Sequence, residues 1–275
     1  SNIMFGETVQ WAEAFGGEFY DKKNYVRAIK EYGTSMGEMI HDTSQRIPKN
    51  KINVINEFYD ILGDYFPGGV GAGETSNLKR AIKGSSIHFI NSLGEHSMQS
   101  KAAMAYMMSV KTYDSFGKEV GNLWDAHTVD NGKMSVGKDI YIKQKEELVA
   151  FDKVQQDNMS RRIQTMLRRM HGNYNSQTAA AWQKNAYLQL IGQFRKWIVD
   201  ACARRWHKSK YNEFADTELE GIYQSFGKGM KAIYHDLQNE KTFIGAEWDK
   251  LSAHQKSNIK KTAFEISMII ALAGS

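Results

Sequence analysis

Gln144–His171 reads QKEELVAFDKVQQDNMSRRIQTMLRRMH. Its apolar residues fall at Leu148, Phe151, Val154, Met159, Ile163, Met166, Leu167 and Met170. Apart from the adjacent pair Met166-Leu167, steps of three to five residues keep returning to one side of a helix that turns once in about 3.6 residues. The spacing predicts a single amphipathic helix over 144–171. Gly172-Asn173 would end it, because glycine readily takes the left-handed conformation that closes a helix. Proline breaks helix interiors, and the chain of 275 residues has two prolines. Long helices are therefore permitted nearly everywhere.

The same periodicity extends outward. One or two helices are predicted in 6–46, from Trp11, Phe15, Phe19, Val26 and Ile29. Another covers 51–65, carrying Ile52, Ile55, Phe58, Tyr59 and Leu62. Thr75-Ser76 would cap a helix running to about Leu93, and a further helix is expected over 96–118. Beyond the opening stretch, helices are expected at 177–209, 216–238 and 252–273, the last capped by Ser252. One segment breaks the pattern. Asp130-Asn131-Gly132 sits between Thr128-Val129 and Met134-Val136, and Asn-Gly between β-formers signals a hairpin. The expected fold class is all-α, a multi-helix globular arrangement with one small β-hairpin near 128–137. Three regions follow: a helical 1–120, a hairpin-containing connector 121–142, and a helical 143–275.

Charge is unevenly spread. Arg161 to Lys210 holds eleven Lys/Arg and one acid, Asp200, a net +10, whereas the whole chain is +5. Arg161-Arg162 and Arg168-Arg169 lie seven residues apart, so the two pairs share nearly the same helix face. Arg195-Lys196, Arg204-Arg205, Lys208 and Lys210 continue the block, interleaved with Trp182, Tyr187, Phe194, Trp197 and Trp206. Arginine forks match phosphate geometry, and also carboxylates. These ten cations are the candidate nucleic-acid-binding residues. The competing reading is a solvated face, or salt bridges to the acidic remainder. Trp182 and Trp197 fall where core anchors are expected.

Other motifs dissolve on inspection. Gly68-Gly-Val-Gly-Ala-Gly73-Glu74-Thr75 fits the phosphate-binding P-loop except at one position, where Glu74 stands for the lysine that reaches the phosphates. A glycine connector is the better reading. The eight histidines lack the spacing of a helical zinc site, and surface or capping roles are expected for them. Glu146-Glu147 and Glu218/Glu220 read as solvated helix faces. Cys202, the single cysteine, excludes an intrachain disulfide and is expected to be a small buried hydrophobe. No catalytic, cofactor-binding or metal-binding residue is assigned, and no cofactor is expected.

The first twenty residues lack the basic start and continuous apolar run of a secretory leader. The longest apolar cluster, Ile266 to Ala273, is too short for a spanning helix of about 20 residues. The chain opens Ser1-Asn2, with its first methionine at Met4, and stops inside an apolar face at Gly274-Ser275. It therefore reads as a piece of a longer polypeptide.

Gln193-Phe-Arg-Lys-Trp197, Arg204-Arg205, Tyr211, Glu220-Gly-Ile-Tyr223, Trp248-Asp-Lys-Leu251-Ser and Gln255-Lys-Ser-Asn-Ile259-Lys-Lys261 follow in that order. Together with the helix from Ala263-Phe-Glu, this order over roughly 180–275 resembles helical regions of the very large virion proteins of crAss-like phages. Those chains are packaged as cargo and ejection proteins or as parts of the virion RNA polymerase. The resemblance implies an accessory helical domain, located in the virion, that meets DNA, RNA or neighbouring virion proteins. It transfers no active site. The expected function is a non-catalytic structural or interaction domain that binds nucleic acid, without sequence preference, or an acidic partner. One alternative is an accessory fragment of a nucleic-acid enzyme such as a virion RNA polymerase. Another is a membrane-active ejection segment. Outside a phage, a cytoplasmic location is expected.

Overall fold

A computed structural model describes residues 2–42, 49–61, 86–137, 139–144, 147–171, 202, 204–212 and 217–273. Of these residues 67% are helical. The helices are α1 (Asn2–Gly16), α2 (Lys22–Asp42), α3 (Lys51–Phe58), α4 (Ser86–Ser109), α5 (Leu123–Ala126), α6 (Lys153–His171), α7 (Ile222–Asn239), α8 (Ala246–Asp249) and α9 (Ala253–Ala273). The strands are β1 (Lys111–Tyr113), β2 (Glu119–Asn122), β3 (His127–Asp130), β4 (Lys133–Val136), β5 (Tyr141–Gln144), β6 (Glu147–Ala150), β7 (Lys210–Asn212) and β8 (Thr217–Leu219).

The chain packs as two units. Unit 1 takes Ser1–Glu7 and Lys23–Arg168; unit 2 takes Thr8–Lys22 and Arg169–Ser275.

In unit 1 the helices bury Tyr25, Ala28, Tyr32 and Met39 of α2, Ile52 and Ile55 of α3, and Met98, Ala102, Met104 and Met107 of α4. Small alanines beside long methionines allow close packing without voids. A polar layer crosses this core. Asn56 Nδ2 lies 3.3 Å from His96 Nε2 and donates to Ser100 Oγ at 2.8 Å. The amide makes Nε2 the acceptor, so His96 Nδ1 carries the proton and donates to Tyr32 Oη at 2.9 Å. Burial pushes the His96 pKa down to about 4. Two side chains hold the backbone at the start of α3. Asp42 accepts from the backbone N–H groups of Lys49 and Asn50, and Asn50 Oδ1 accepts from that of Ile52.

The hairpin expected at 128–137 is present. His127–Asp130 pairs with Lys133–Val136, and Asn131 (φ 48°) and Gly132 (φ 76°) make the two-residue turn. Two positive φ values match the twist of paired strands. The mostly helical class holds, but one hairpin is too few, because this hairpin is not the only sheet. Unit 1 also holds an antiparallel four-stranded sheet in the order β2-β1-β5-β6, and β7 pairs with β8 in unit 2.

The opening stretch shows how this happens. Its first residues are not helical: Tyr141–Gln144 and Glu147–Ala150 pair as a hairpin, and α6 starts only at Lys153. The three-residue step from Leu148 to Phe151 mimics a helix because strands of four residues are too short to display alternation. Asp152 Oδ1 accepts from Gln155 N at 2.9 Å and caps the true helix start. Likewise the helix expected over 96–118 ends at Ser109, and Tyr113 is a strand residue. The helix expected from 216 begins at Ile222, after β8, and residues 207–209 precede β7 rather than ending a helix. The end expected at 171 for α6 and the span expected for α9 agree with the structure.

In unit 2, α7 packs against α9. Gly229 permits the approach: a Cβ there would lie 2.3 Å from Ile259 Cδ1. α9 opens with a capping box, in which Gln255 N donates to Ser252 Oγ and Ser252 N donates to Gln255 Oε1. The loop after α7 is organised by Asp236, whose buried carboxylate accepts the backbone N–H groups of Gly245, Glu247 and Trp248, each at 2.9 Å.

Candidate nucleic-acid interface

α6 is amphipathic, as the spacing requires. Ile163, Met166 and Leu167 are buried in unit 1. On the other side Arg161 is exposed, and Arg162 and Arg168 are half-buried. Arg162 is hydrogen-bonded to Tyr106; burial raises the phenol pKa and Arg162 works against that rise. Ser160 Oγ, one residue earlier, donates to Tyr59 O at 2.8 Å. The helix is thus keyed to the core by its polar and apolar groups alike, with the Arg161 guanidinium in water.

The cations that fall in unit 2 are placed differently. Arg169 Nη1 donates to Glu18 Oε1 at 2.8 Å. Arg205 Nη2 donates to Glu265 Oε2 at 3.0 Å, and its Nε to Tyr223 Oη at 3.2 Å. Arg204 Nη2 lies 3.9 Å from Glu265 Oε1, and its Nη1 donates to Met170 O at 3.1 Å. The rest of the cluster comes from residues the charge pattern does not single out. Lys261 Nζ contacts Glu13 Oε2 at 2.7 Å and also donates to Glu18. His254 Nδ1 lies 2.9 Å from Glu18 Oε1. Glu220 N and Asn258 Nδ2 both donate to His254 Nε2, at 3.0 Å each, so the ring proton sits on Nδ1 and points at Glu18. Lys208 is exposed, and Lys210 begins β7.

The electrostatics follow from this packing. Burial alone would raise the Glu18 carboxyl. Lys261, the His254 hydrogen bond and Arg169 outweigh it and hold the group well below the usual carboxylate range. Burial pushes Arg204 down to about 10, partly offset by Glu265, so it stays charged at neutral pH. For Arg205, Glu265 and Tyr223 overcome burial and the pKa rises. A cavity of about 20 Å³ lies among Glu13, Arg169, Arg204, Lys261 and Glu265, room for a single water. Charges neutralised in this way hold geometry.

Arg195, Lys196, Trp182, Tyr187, Phe194, Trp197, Glu146 and the glycine loop 67–75 lie outside the described residues. Trp206 is 62% exposed and meets Tyr223 edge-on at 5.2 Å. Cys202 is exposed, not buried as expected; apolar and basic neighbours in sequence do not decide which side of a helix a residue takes. Histidines are not confined to surface and capping roles. His96, His127 and His254 are buried, each with hydrogen-bond partners for both ring nitrogens. Glu220, expected on a solvated helix face, is buried and lies outside the helices. Its carboxylate accepts from Ser225 Oγ and Lys228 Nζ, which outweigh burial and lower its pKa. Glu147 is exposed, but on β6. Among the described residues, no group of three or more His, Cys, Asp or Glu is placed to hold a metal ion, and no helix is long and apolar enough to cross a membrane.

No protein-family model matches the chain, and no curated protein or solved structure was found to match it.

Proposed function

We propose that the chain is a non-catalytic structural or interaction domain of a tailed-phage virion protein, binding nucleic acid without sequence preference through the arginine edge of α6. The observation that supports this most is that edge itself: Arg161 is exposed, with Arg162 and Arg168 beside it, over an apolar face sunk in the core. The +10 charge of 161–210 points the same way, since a polyanion is the natural partner of such an excess. Arg169, Arg204 and Arg205 serve the ionic cluster of unit 2 and are set aside from the interface. The phage assignment rests on the resemblance of 180–275 to crAss-like virion proteins.

Gel retardation of duplex DNA across a salt series tests the reading. Three phosphate contacts give a slope of about −2.7, hence a loss of roughly 40-fold between about 50 and 200 mM salt. Replacing Arg161, Arg162 and Arg168 by Gln should flatten the slope. Absence of any retardation at low salt would overturn the proposal.

A further inference from the structure

The four-stranded sheet of unit 1 has one side turned to the core, where Thr112 of β1 and Ile142 of β5 are 1% and 2% exposed. Side chains alternate along a strand, so Lys111, Tyr113, Tyr141 and Lys143 belong to the other side. Tyr113 and Tyr141 are direct partners across β1 and β5. That pairing sets their Cβ atoms about 5 Å apart. Lys143 Nζ sits 4.9 Å from the centroid of the Tyr113 ring, and Lys143 is itself paired with Leu148 of β6, 39% exposed.

The β1–β2 turn adds a third ring. Phe116 is 94% exposed. Its turn is not loose: Asp114 Oδ1 accepts the backbone N–H groups of both Phe116 and Lys118, each at 2.9 Å. The turn leans over the same side, since a Cβ on Gly117 would lie 3.2 Å from Leu148 Cδ1. The Asp114 carboxylate is turned onto the backbone N–H groups of its own loop. Glu119, opposite Tyr113, is engaged by Lys111 at 2.6 Å, and that leaves the Lys143 ammonium on its ring. A phenylalanine held almost wholly in water, on a fixed turn that leans toward the side carrying two paired tyrosines and a lysine, offers a stacking surface to flat partners.

We propose that this face is a platform for unpaired bases of single-stranded nucleic acid. Bases would stack on Phe116, Tyr113 and Tyr141, and the backbone would pass the Lys143 ammonium. Duplex bases are already stacked on one another and cannot reach the rings. The proposal takes its polymer class from the nucleic-acid reading of α6 but uses none of the same residues.

Fluorescence anisotropy separates the two. The probes are labelled oligo(dT) of about 20 nucleotides, longer than one domain's site, and an abasic strand of equal length. Oligo(dT) should bind at least about tenfold more tightly than the abasic strand, and Phe116→Ala and Tyr113→Leu should each weaken it by roughly tenfold. Phe116 is at an exposed tip, so its replacement leaves the fold intact, and leucine keeps the strand apolar at Tyr113. Equal binding of the two strands, or no effect of either variant, overturns the platform even if the arginines prove to bind DNA. Persistence of oligo(dT) binding after Arg161, Arg162 and Arg168 are replaced, with loss in Phe116→Ala, would support the platform and sink the α6 reading. A dimer that Phe116→Ala dissolves would make the face a self-contact and overturn the proposal.

Discussion

Lys261 Nζ lies 2.7 Å from Glu13 Oε2, and the two side chains are only 5% and 6% exposed. The same ammonium also bonds Glu18, so one buried cation serves two carboxylates. Such a pair is dearly desolvated, and its removal in halves is worse than its removal whole.

Lys261→Met should therefore destabilise the protein by about 3–5 kcal/mol, because it strips the buried Glu13 of its ammonium partner and leaves Glu18 to Arg169 and His254 alone. Adding Glu13→Gln to that variant should restore part of the loss. Urea unfolding of the two variants checks this. A single variant as stable as the parent would mean that the cluster is hydrated.

Buried histidines make stability fall in acid. His127 Nδ1 donates to Leu123 O, its Nε2 accepts from Tyr59 Oη at 2.7 Å, and burial pushes its pKa down to about 4, as for His96. A folded pKa below the unfolded value of about 6.5 means that the unfolded chain binds protons first. Each histidine's contribution is whole above about pH 6.5 and is lost towards pH 4, roughly 3 kcal/mol apiece. Glu95 acts in the opposite sense. Burial raises its pKa to about 7, so its contribution is present below about pH 4.5 and lost as pH rises through 7. Melting temperature measured from pH 7 to 4.5 should fall. The fall should be shallower in His127→Gln and steeper in Glu95→Gln. A fall unchanged in both would refute the assignment.

The β3–β4 turn predicts a third result. Asn131 and Gly132 both have positive φ, which L side chains other than Asn and Asp resist. Gly132→Val should cost roughly 1–2 kcal/mol, whereas Asn131→Gly should be near neutral. Denaturant midpoints that do not distinguish the two variants would count against the turn type.

That hairpin was readable because Asn-Gly encodes its own backbone conformation. The core helices were readable because Ile52, Ile55, Met98, Ala102, Ile163 and Met166 recur at helical spacing. β1, β2, β5 and β6 were not. Each has three or four residues, and their partners are set by register, as Tyr113 is by Tyr141, not by local preference. The arginines were legible as charge, but charge does not say what it faces. Arg161 and Arg169 look alike in the chain, yet one is exposed and the other bonds Glu18, distant by 151 residues. Nothing in the sequence marked His254 and Lys261 as members of an ionic cluster, because a buried ionic hub is assembled from single residues on separate segments.

The packing of α7 on α9 gives the last prediction. Alanine is favoured over glycine inside a helix by about 1 kcal/mol, so at an open site Gly229→Ala would stabilise α7. Here the new methyl would lie 2.3 Å from Ile259 Cδ1 and 2.8 Å from its Cγ1, and Ile259 is only 9% exposed. Overpacking of a filled core costs about 1–3 kcal/mol, which exceeds the propensity gain. Gly229→Ala should therefore destabilise by up to about 2 kcal/mol, the difference between those terms. Ile259→Val removes the Cδ1 methyl that meets the clash, so the double variant should be more stable than the sum of the single effects. A thermodynamic cycle over the four proteins reads this coupling directly. Additive effects, or stabilisation by Gly229→Ala alone, would show that the two helices stand further apart at this level than their contact implies.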